Sequence, residues 1–363
     1  MRVLITTTGF PGHLLPLVPF ARAFKEAGHS VCVAGPGSCA PSVERAGLGF
    51  LPCADLPADA VTRLLAEAAA MSREDGHAHV IREGFAGIAA HTLAPDMQTI
   101  VERWQPGLVL HESQEFAAAE AAERAGLPHA RVALGLSSTE RETLELAGVA
   151  PSPLLTLVPP AFDDGDAATT WRFRERRVAP ARRSDGERLV YVTFGSVAAT
   201  LGYFPDFYRA IVDALADVSA RVLVTTGADG VGPVPPNVSV VPWLPQDAVL
   251  EGAAAVVSHG GYGTLLGALA HGLPQVVIPL FAQDQWRNAQ RVADLGAGVV
   301  LKGPPRDTFA PPGRDVLAAL PGAVEHVLLR ERYAGVAGEL AADIAALPPV
   351  ADAVSALNPE VPA

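Results

Sequence analysis

Ala255-Val256-Val257-Ser258-His259-Gly260-Gly261-Tyr262-Gly263-Thr264 is the stretch whose reading decides how this chain folds. Four strand-forming residues run into a histidine and a glycine cluster, and a helical pattern follows, so a strand gives way to a helix through a tight turn. Backbone N–H groups at a helix start are unpaired and point beyond the helix end. Glycines let that backbone approach a ligand closely, and the helix dipole favours negative charge there. His259 and Thr264 can add two hydrogen bonds, which together suit a diphosphate. From these residues alone, a tight turn around a buried, hydrogen-bonded histidine is the competing reading.

Working outward, strands and helices alternate. Arg188 to Phe194 is a β-type run ended by Gly195-Ser196, and Phe204 to Leu215 is helical. Strand patterns follow at Arg221–Thr225, Val238–Pro242 and Gln275–Pro279, with a helix at Asn288–Leu295. The N-terminus uses the same grammar: Arg2 to Thr8 is β-rich, Gly9-Phe10-Pro11-Gly12-His13 breaks it, and apolar residues from Leu14 to Phe24 recur at helical spacing until Gly28. Such alternation implies parallel strands in an α/β fold made of two doubly wound modules. Pro151 to Asp185, with Pro151, Pro153, Pro159 and Pro160, an acidic cluster (Asp163, Asp164, Asp166) and a basic one from Arg172 to Arg183, reads as the linker, its basic run a solvated face. From Pro348 the chain reads as a loose tail.

Composition narrows the function. The 363 residues suit two domains; they are 49% hydrophobic and carry a formal net charge of -12, so general binding to polyanions is disfavoured and no nucleic-acid partner is expected. No run approaches the roughly 18 or more apolar residues of a membrane span, and Met1-Arg2 leads straight into a strand without a signal-peptide pattern, so the expectation is a cytoplasmic protein without stable membrane insertion. The three cysteines, Cys32, Cys39 and Cys53, lack paired spacing for a disulfide framework or a zinc site. Asp164-Gly165-Asp166 spells a DxD metal motif, but it lies in the Pro-rich segment and has no second ligand set, so no metal is expected. Gly261, Gly263 and Gly267 nearly form the dinucleotide fingerprint, with the third glycine one residue late and no acidic residue at the end of the next strand; a nicotinamide oxidoreductase is therefore the weaker reading.

Trp243-Leu244-Pro245-Gln246, the His259 to Thr264 block, Gly272-Leu273-Pro274, Asp284-Gln285 and Asn288-Ala289 follow one another across roughly fifty residues. In that order and spacing they resemble the nucleotide-sugar-binding signature of the GT1 glycosyltransferases, and most closely its actinobacterial antibiotic glycosyltransferases. The resemblance implies a GT-B fold, two Rossmann-like domains facing each other across a cleft. On this reading residues 1–180 form the acceptor domain with its linker, residues 181–347 the donor domain, a final helix near 324–347 returns to the N-terminal domain, and 348–363 are the tail. It implies that Trp243 stacks on the donor base, Gln246 hydrogen-bonds near it, and Ser196, His259, Gly260, Gly261, Gly263 and Thr264 cradle the diphosphate. Asp284 and Gln285 match the pair that binds donor-sugar hydroxyls. Many members carry Glu where this chain has Gly267; without that ribose contact, a dTDP-sugar is favoured over a UDP-sugar. Gln283 is an extra residue before the Asp-Gln pair relative to plant members.

On the N-terminal side, the resemblance makes His13 the general base that deprotonates an acceptor hydroxyl, with Glu112 at the end of Leu108-Val109-Leu110-His111 as its carboxylate partner. Glu115 and His111 are rivals for the partner role. The implied reaction is inverting, metal-independent glycosyl transfer to a hydrophobic natural product, with the nucleotide sugar as co-substrate and no other cofactor. The alternatives are a catalytically silent nucleotide-sugar-binding helper, which the presence of His13 argues against, and the oxidoreductase. A homodimer is left open, since no segment identifies an oligomer interface.

Overall fold

A computed structural model describes residues 1–165, 170–175, 188–195, 197–303 and 311–357. The chain divides into two compact units, residues 1–176 with 347–363, and residues 177–346. Among the described residues, no helix is long and apolar enough to cross a membrane.

In the first unit the strands are β1 (Arg2–Thr6), β2 (Ser30–Pro36), β3 (Gly49–Cys53), β4 (Leu108–Glu112), β5 (His129–Val132), β6 (Leu154–Thr156) and β7 (Thr170–Arg172). They form one parallel sheet in the order β3-β2-β1-β4-β5-β6-β7. A parallel strand covered on both faces reads as an unbroken apolar run. Val3-Leu4-Ile5 is such a run, fully buried, with Val3 and Ile5 in one core and Leu4 in the other. Leu108-Val109-Leu110 on β4 splits the same way. The helix Val18–Glu26 buries Phe20 and Phe24 against the first of these cores. Burying each such side chain contributes about 1.5–3 kcal/mol. Strand order reverses between β1 and β4, so their carboxyl ends open the crevice where α/β sheets bind ligands.

The second unit repeats the plan with β8 (Leu189–Thr193), β9 (Arg221–Thr225), β10 (Val238–Val241), β11 (Ala255–Ser258), β12 (Gln275–Val277) and β13 (Gly298–Val300). Its parallel order is β10-β9-β8-β11-β12-β13, with the reversal between β8 and β11 and Ser258 in register with Thr193. The glycine-rich stretch leaves the carboxyl end of β11 and enters the helix Tyr262–Ala270, as the sequence pattern requires.

Four expectations need correction. The segment assigned to a linker holds β6 and β7; strands of three residues are too short to show a period. Arg172 within the basic run is not a solvated charge, because its guanidinium pairs with the buried Asp163 at 2.6 Å and donates to Val158 O. Residues 324–346 group with the second unit, and only Leu347 with the first. The helices Arg314–Leu329 and Glu331–Ala346 bury Val324, Val327 and Tyr333 in the core of the second unit.

It is the supposed tail that belongs to the first unit. Arg174 N–H donates to Pro348 O, Val350 N–H donates to Arg174 O, and Val350 and Ala353 of the helix region ending at Ala356 enter the core around Phe20 and Phe24. Residues 358–363 lie outside the described residues. Ala353→Asp places an unpaired carboxylate in that core, where a buried polar group without partners costs at least ~2–3 kcal/mol. The expected result is a lower thermal midpoint for the first unit and faster proteolysis at the C-terminus, measured by calorimetry and limited digestion; an unchanged midpoint contradicts the docking of this segment.

Candidate active site

The crevice of the first unit brings the residues of three segments together. β1 ends in Thr6-Thr7-Thr8, and the chain then turns through Gly9-Phe10 into a short helical turn, residues 11–14, that carries His13. β4 ends in Glu112, whose carboxylate is fully buried. Its Oε1 accepts from the Thr8 hydroxyl at 2.6 Å and Thr8 N–H at 3.1 Å, and pairs with His13 Nδ1 at 3.0 Å; its Oε2 accepts from Gln114 N–H at 2.7 Å. Burial alone would raise the pKa of this group. The neighbouring His13 and the donors from Thr8 and Gln114 more than offset it, holding the carboxyl below its ordinary value of 4.5.

An ionised carboxylate only accepts hydrogen bonds, so Nδ1 of a neutral His13 carries the proton and Nε2 keeps its lone pair. The imidazole is 18% exposed in its side chain. A base held by one nitrogen, with the other nitrogen carrying a lone pair, is the arrangement needed to take a proton from a hydroxyl.

The rivals for the carboxylate role go elsewhere. Side chains alternate across a strand, so His111 faces away from Glu112 and meets His129 Nδ1 with its Nε2 at 3.3 Å. Burial pushes the His111 imidazole down to about 3, with the His129 and Arg131 charges adding to it. Glu115 is fully buried and accepts from Thr6 Oγ1 at 2.6 Å and from Ala117 N–H at 2.9 Å, capping the start of the helix Ala117–Ala125. Burial, with Glu112 nearby, pushes Glu115 up to about 7. Two carboxylates three residues apart thus differ in acidity, because only Glu112 is paired with the His13 imidazole. Thr6 and Thr8, which orient the pair, escaped the sequence reading; three consecutive threonines at a strand end were the available signal.

In the second unit, the stretch from Ser258 forms a tight turn. Gly260 takes φ +82°, and a Cβ there would stand 2.9 Å from Val277 and 3.0 Å from Gln285 O, so no other residue fits without strain. Gly260 N–H donates to Ser258 Oγ, and Gly260 O accepts from the buried Asn288 amide at 2.8 Å. Gly261 is the N-cap residue of the helix Tyr262–Ala270 and supplies no side-chain cap. The His259 ring lies over Gly195 on the loop after β8, and burial lowers its imidazole to about 4, leaving it neutral. Among the described residues, His259 Nδ1 is buried with no hydrogen-bond partner, a polar atom that a ligand at the helix start can satisfy.

The remaining candidates divide. Trp243 is 72% exposed, an indole face open to solvent. Gln246 Oε1 accepts from Thr264 Oγ1 at 3.2 Å, and its Nε2 lies 2.6 Å from where a Cβ on Gly267 would stand. The absence of a side chain at 267 is therefore what lets the Gln246 amide rest against this helix. Asp284 sits half-buried in the first turn of the helix Gln283–Leu295. Gln285 is buried, and its Oε1 accepts from the N–H groups of Leu280 and Phe281, so the oxygen of the amide matched to sugar hydroxyls is committed to the backbone. Ser196 lies outside the described residues, as does Asp166 of the DxD motif; Asp164 accepts from Ser138 N–H. No group of three potential metal-ligating side chains occurs among the described residues.

Two parallel-sheet Rossmann-like units with this crevice and this glycine-rich helix start define a glycosyltransferase of the GT-B class, and comparisons with known proteins agree. The chain belongs to the erythromycin biosynthesis protein CIII-like family, whose N-terminal domain matches residues 22–227 and whose C-terminal domain matches residues 209–358. It is 30% identical to the L-demethylnoviosyl transferase of Streptomyces niveus, over 90% of this chain and 89% of that protein. The elloramycin glycosyltransferase ElmGT of Streptomyces olivaceus is 30% identical over 99% of this chain and 97% of its own length. Among solved structures, glycosyltransferase VinC in complex with dTDP superimposes with a TM-score of 0.75 and 26% identity, covering 98% of both chains. The oxidoreductase alternative falls with the family assignment.

The contrast between the two loop carboxylates carries a stability prediction. Glu115 keeps its proton up to about 7 in the fold but releases it near 4.5 as an ordinary glutamate. The folded state therefore binds more protons between these values, and stability falls as pH rises through that window. Glu140, pushed up to about 7 by burial despite Arg131, acts in the same sense. Glu115→Gln should flatten the fall of thermal midpoint between pH 5 and pH 8 and raise the midpoint at pH 8. Wild-type and variant curves that run parallel across this range contradict the assignment.

Proposed function

We propose that this protein transfers a sugar, with inversion and without a metal, from a dTDP-sugar to a hydroxyl of a hydrophobic natural product in the cytoplasm. The observation that carries the reading is the His13–Glu112 pair, in which a buried carboxylate holds Nδ1 at 3.0 Å and leaves Nε2 as the base. The acceptor oxygen attacks the anomeric carbon as its proton passes to His13 Nε2, and the bond from that carbon to the diphosphate oxygen breaks. Glu112 stabilises the imidazolium that forms. The transition state resembles an oxocarbenium ion, as in enzymatic glycoside cleavage.

The departing diphosphate gathers negative charge, which the helix start at Gly261, the neutral His259 and the Thr264 hydroxyl are arranged to receive. Trp243 offers an exposed face for the base, and Gln246 and Asp284 supply polar groups for the rest of the donor. Preference for dTDP is supported by Gly267, which supplies no ribose contact, and by the dTDP held by VinC. Leu15, exposed beside His13, and the half-buried Phe10 suit a hydrophobic acceptor. No cofactor beyond the nucleotide sugar enters this scheme. The intact dyad separates it from a silent nucleotide-sugar-binding helper.

Calorimetric titration with dTDP, UDP and NADH, in EDTA and then with Mg²⁺, tests the donor. Binding of dTDP in EDTA, tighter than UDP, is expected; NADH binding alone, or dTDP binding only with Mg²⁺, contradicts the proposal. His13→Ala should lower kcat by ~10²–10⁴, the contribution of a general base, with dTDP affinity within about twofold of wild type. Retained turnover rules out His13 as the base.

A further inference from the structure

Glu112 holds one edge of the His13 ring; it does not by itself define the plane of the ring. That plane is met by a second side chain from a distant segment. The Phe85 ring stacks on the imidazole with centroids 5.4 Å apart and an interplanar angle of 24°. Phe10 stands 5.4 Å from His13 and 5.5 Å from Phe85, its ring edge-on to Phe85, so the three rings close a triangle. Aromatic groups at these separations prefer offset-stacked and edge-to-face arrangements.

Phe85 occupies an unusual backbone. Residues Val80–Ala89 form a π-helix between the α-helices Arg73–His79 and Ala90–Trp104. Such segments are rare and recur at functional sites. The wide turn changes helical register within one continuous rod. Ile81 and Phe85 enter a cluster with Phe116, Leu144 and Phe10, whereas Leu93, Met97 and Val101 pack in the core beneath β1 and β4. Gly84 fits against Leu64 where a Cβ would stand 2.7 Å from its Cδ2, so the neighbouring helix Ala58–Ala69 can seat this segment closely.

We infer that Phe85 is a positioning residue for glycosyl transfer: its ring fixes the plane of the imidazole and thereby the direction in which Nε2 meets the acceptor hydroxyl. A flat face on the ring blocks rotation about the Cβ–Cγ bond, and Glu112 and Thr8 fix which nitrogen lies on the carboxylate side. The two constraints together leave one orientation. The role rests on the reading of His13 as the base.

The test combines kinetics with ring-proton magnetic resonance on the full-length protein. Misplacement of a reacting group by about 1 Å can cost 10²-fold, so Phe85→Leu should lower kcat by ~10–100-fold and leave the donor KM within about twofold. Phe85→Tyr keeps the aromatic face and should retain kcat within about threefold. Val101→Ala, on the same rod but packed away from His13, should lower the thermal midpoint while keeping kcat within about threefold. In the wild-type protein, cross-relaxation between Phe85 ring protons and His13 imidazole protons is expected, and its absence overturns the proposal even if Phe85→Leu does not fold. A Phe85→Leu enzyme with wild-type kcat overturns it, as does an equal loss in Val101→Ala. His13→Ala separates the two readings: if it is inactive while Phe85→Leu is fully active, only the positioning role fails, and if it turns over normally the base assignment fails first.

Discussion

The first unit is organised around a carboxylate taken out of water. An ionised glutamate buried alone would be strongly unfavourable, and a fold keeps one only when donors converge on it. Glu112 receives a hydroxyl, two backbone N–H groups and an imidazole N–H from three separate stretches of chain. Each donor is placed by the parallel pairing of β1 with β4, where Thr6 lies in register with His111. Because the strand order reverses there, the two carboxyl-terminal loops have room to face each other instead of being separated by a crossover helix. The arrangement of Thr8, His13 and Gln114 follows from satisfying that one charge.

Glu115 shows what happens to a carboxylate three residues on that lacks an imidazole partner. It accepts from the Thr6 hydroxyl and, as a helix cap, from Ala117 and Ala118 N–H, and burial pushes it up to about 7. The pair illustrates that residue type alone does not define chemistry; the balance between burial and the partners at hand does. In the second unit the corresponding position is occupied by a neutral, buried His259 and a helix start whose N-cap residue has no side chain. There the polarity comes from backbone rather than from a side-chain charge.

Much of this was legible along the chain. Unbroken apolar runs such as Val3-Leu4-Ile5 identified two-sided parallel strands, and the ordered Trp243-to-Ala289 signature identified the family. What escaped had physical causes. β6 and β7 are too short to show periodicity, and the docking of the C-terminal segment through Val350, Ala353 and its backbone bonds with Arg174 joins residues far apart in the chain. Helical periodicity near 324–347 was read correctly as helix, but a periodic face does not name the surface it will cover; Val324 and Val327 buried themselves in the nearer core. Gln285 likewise matched a sugar-binding amide by position, whereas its oxygen satisfies two backbone N–H groups.

By itself, the sequence determined the α/β class, the two-unit repeat and the family, because these rest on local periodicity and on short motifs whose spacing survives in one dimension. The tertiary structure decided between Glu112 and its rivals, and it alone decided which carboxylate caps a helix and which aromatic ring bears on the imidazole. Residues 13, 85 and 112 are far apart in the chain, and no local pattern encodes their meeting. That meeting is set by sheet order and helix register, and the partner each charge finds there determines its protonation.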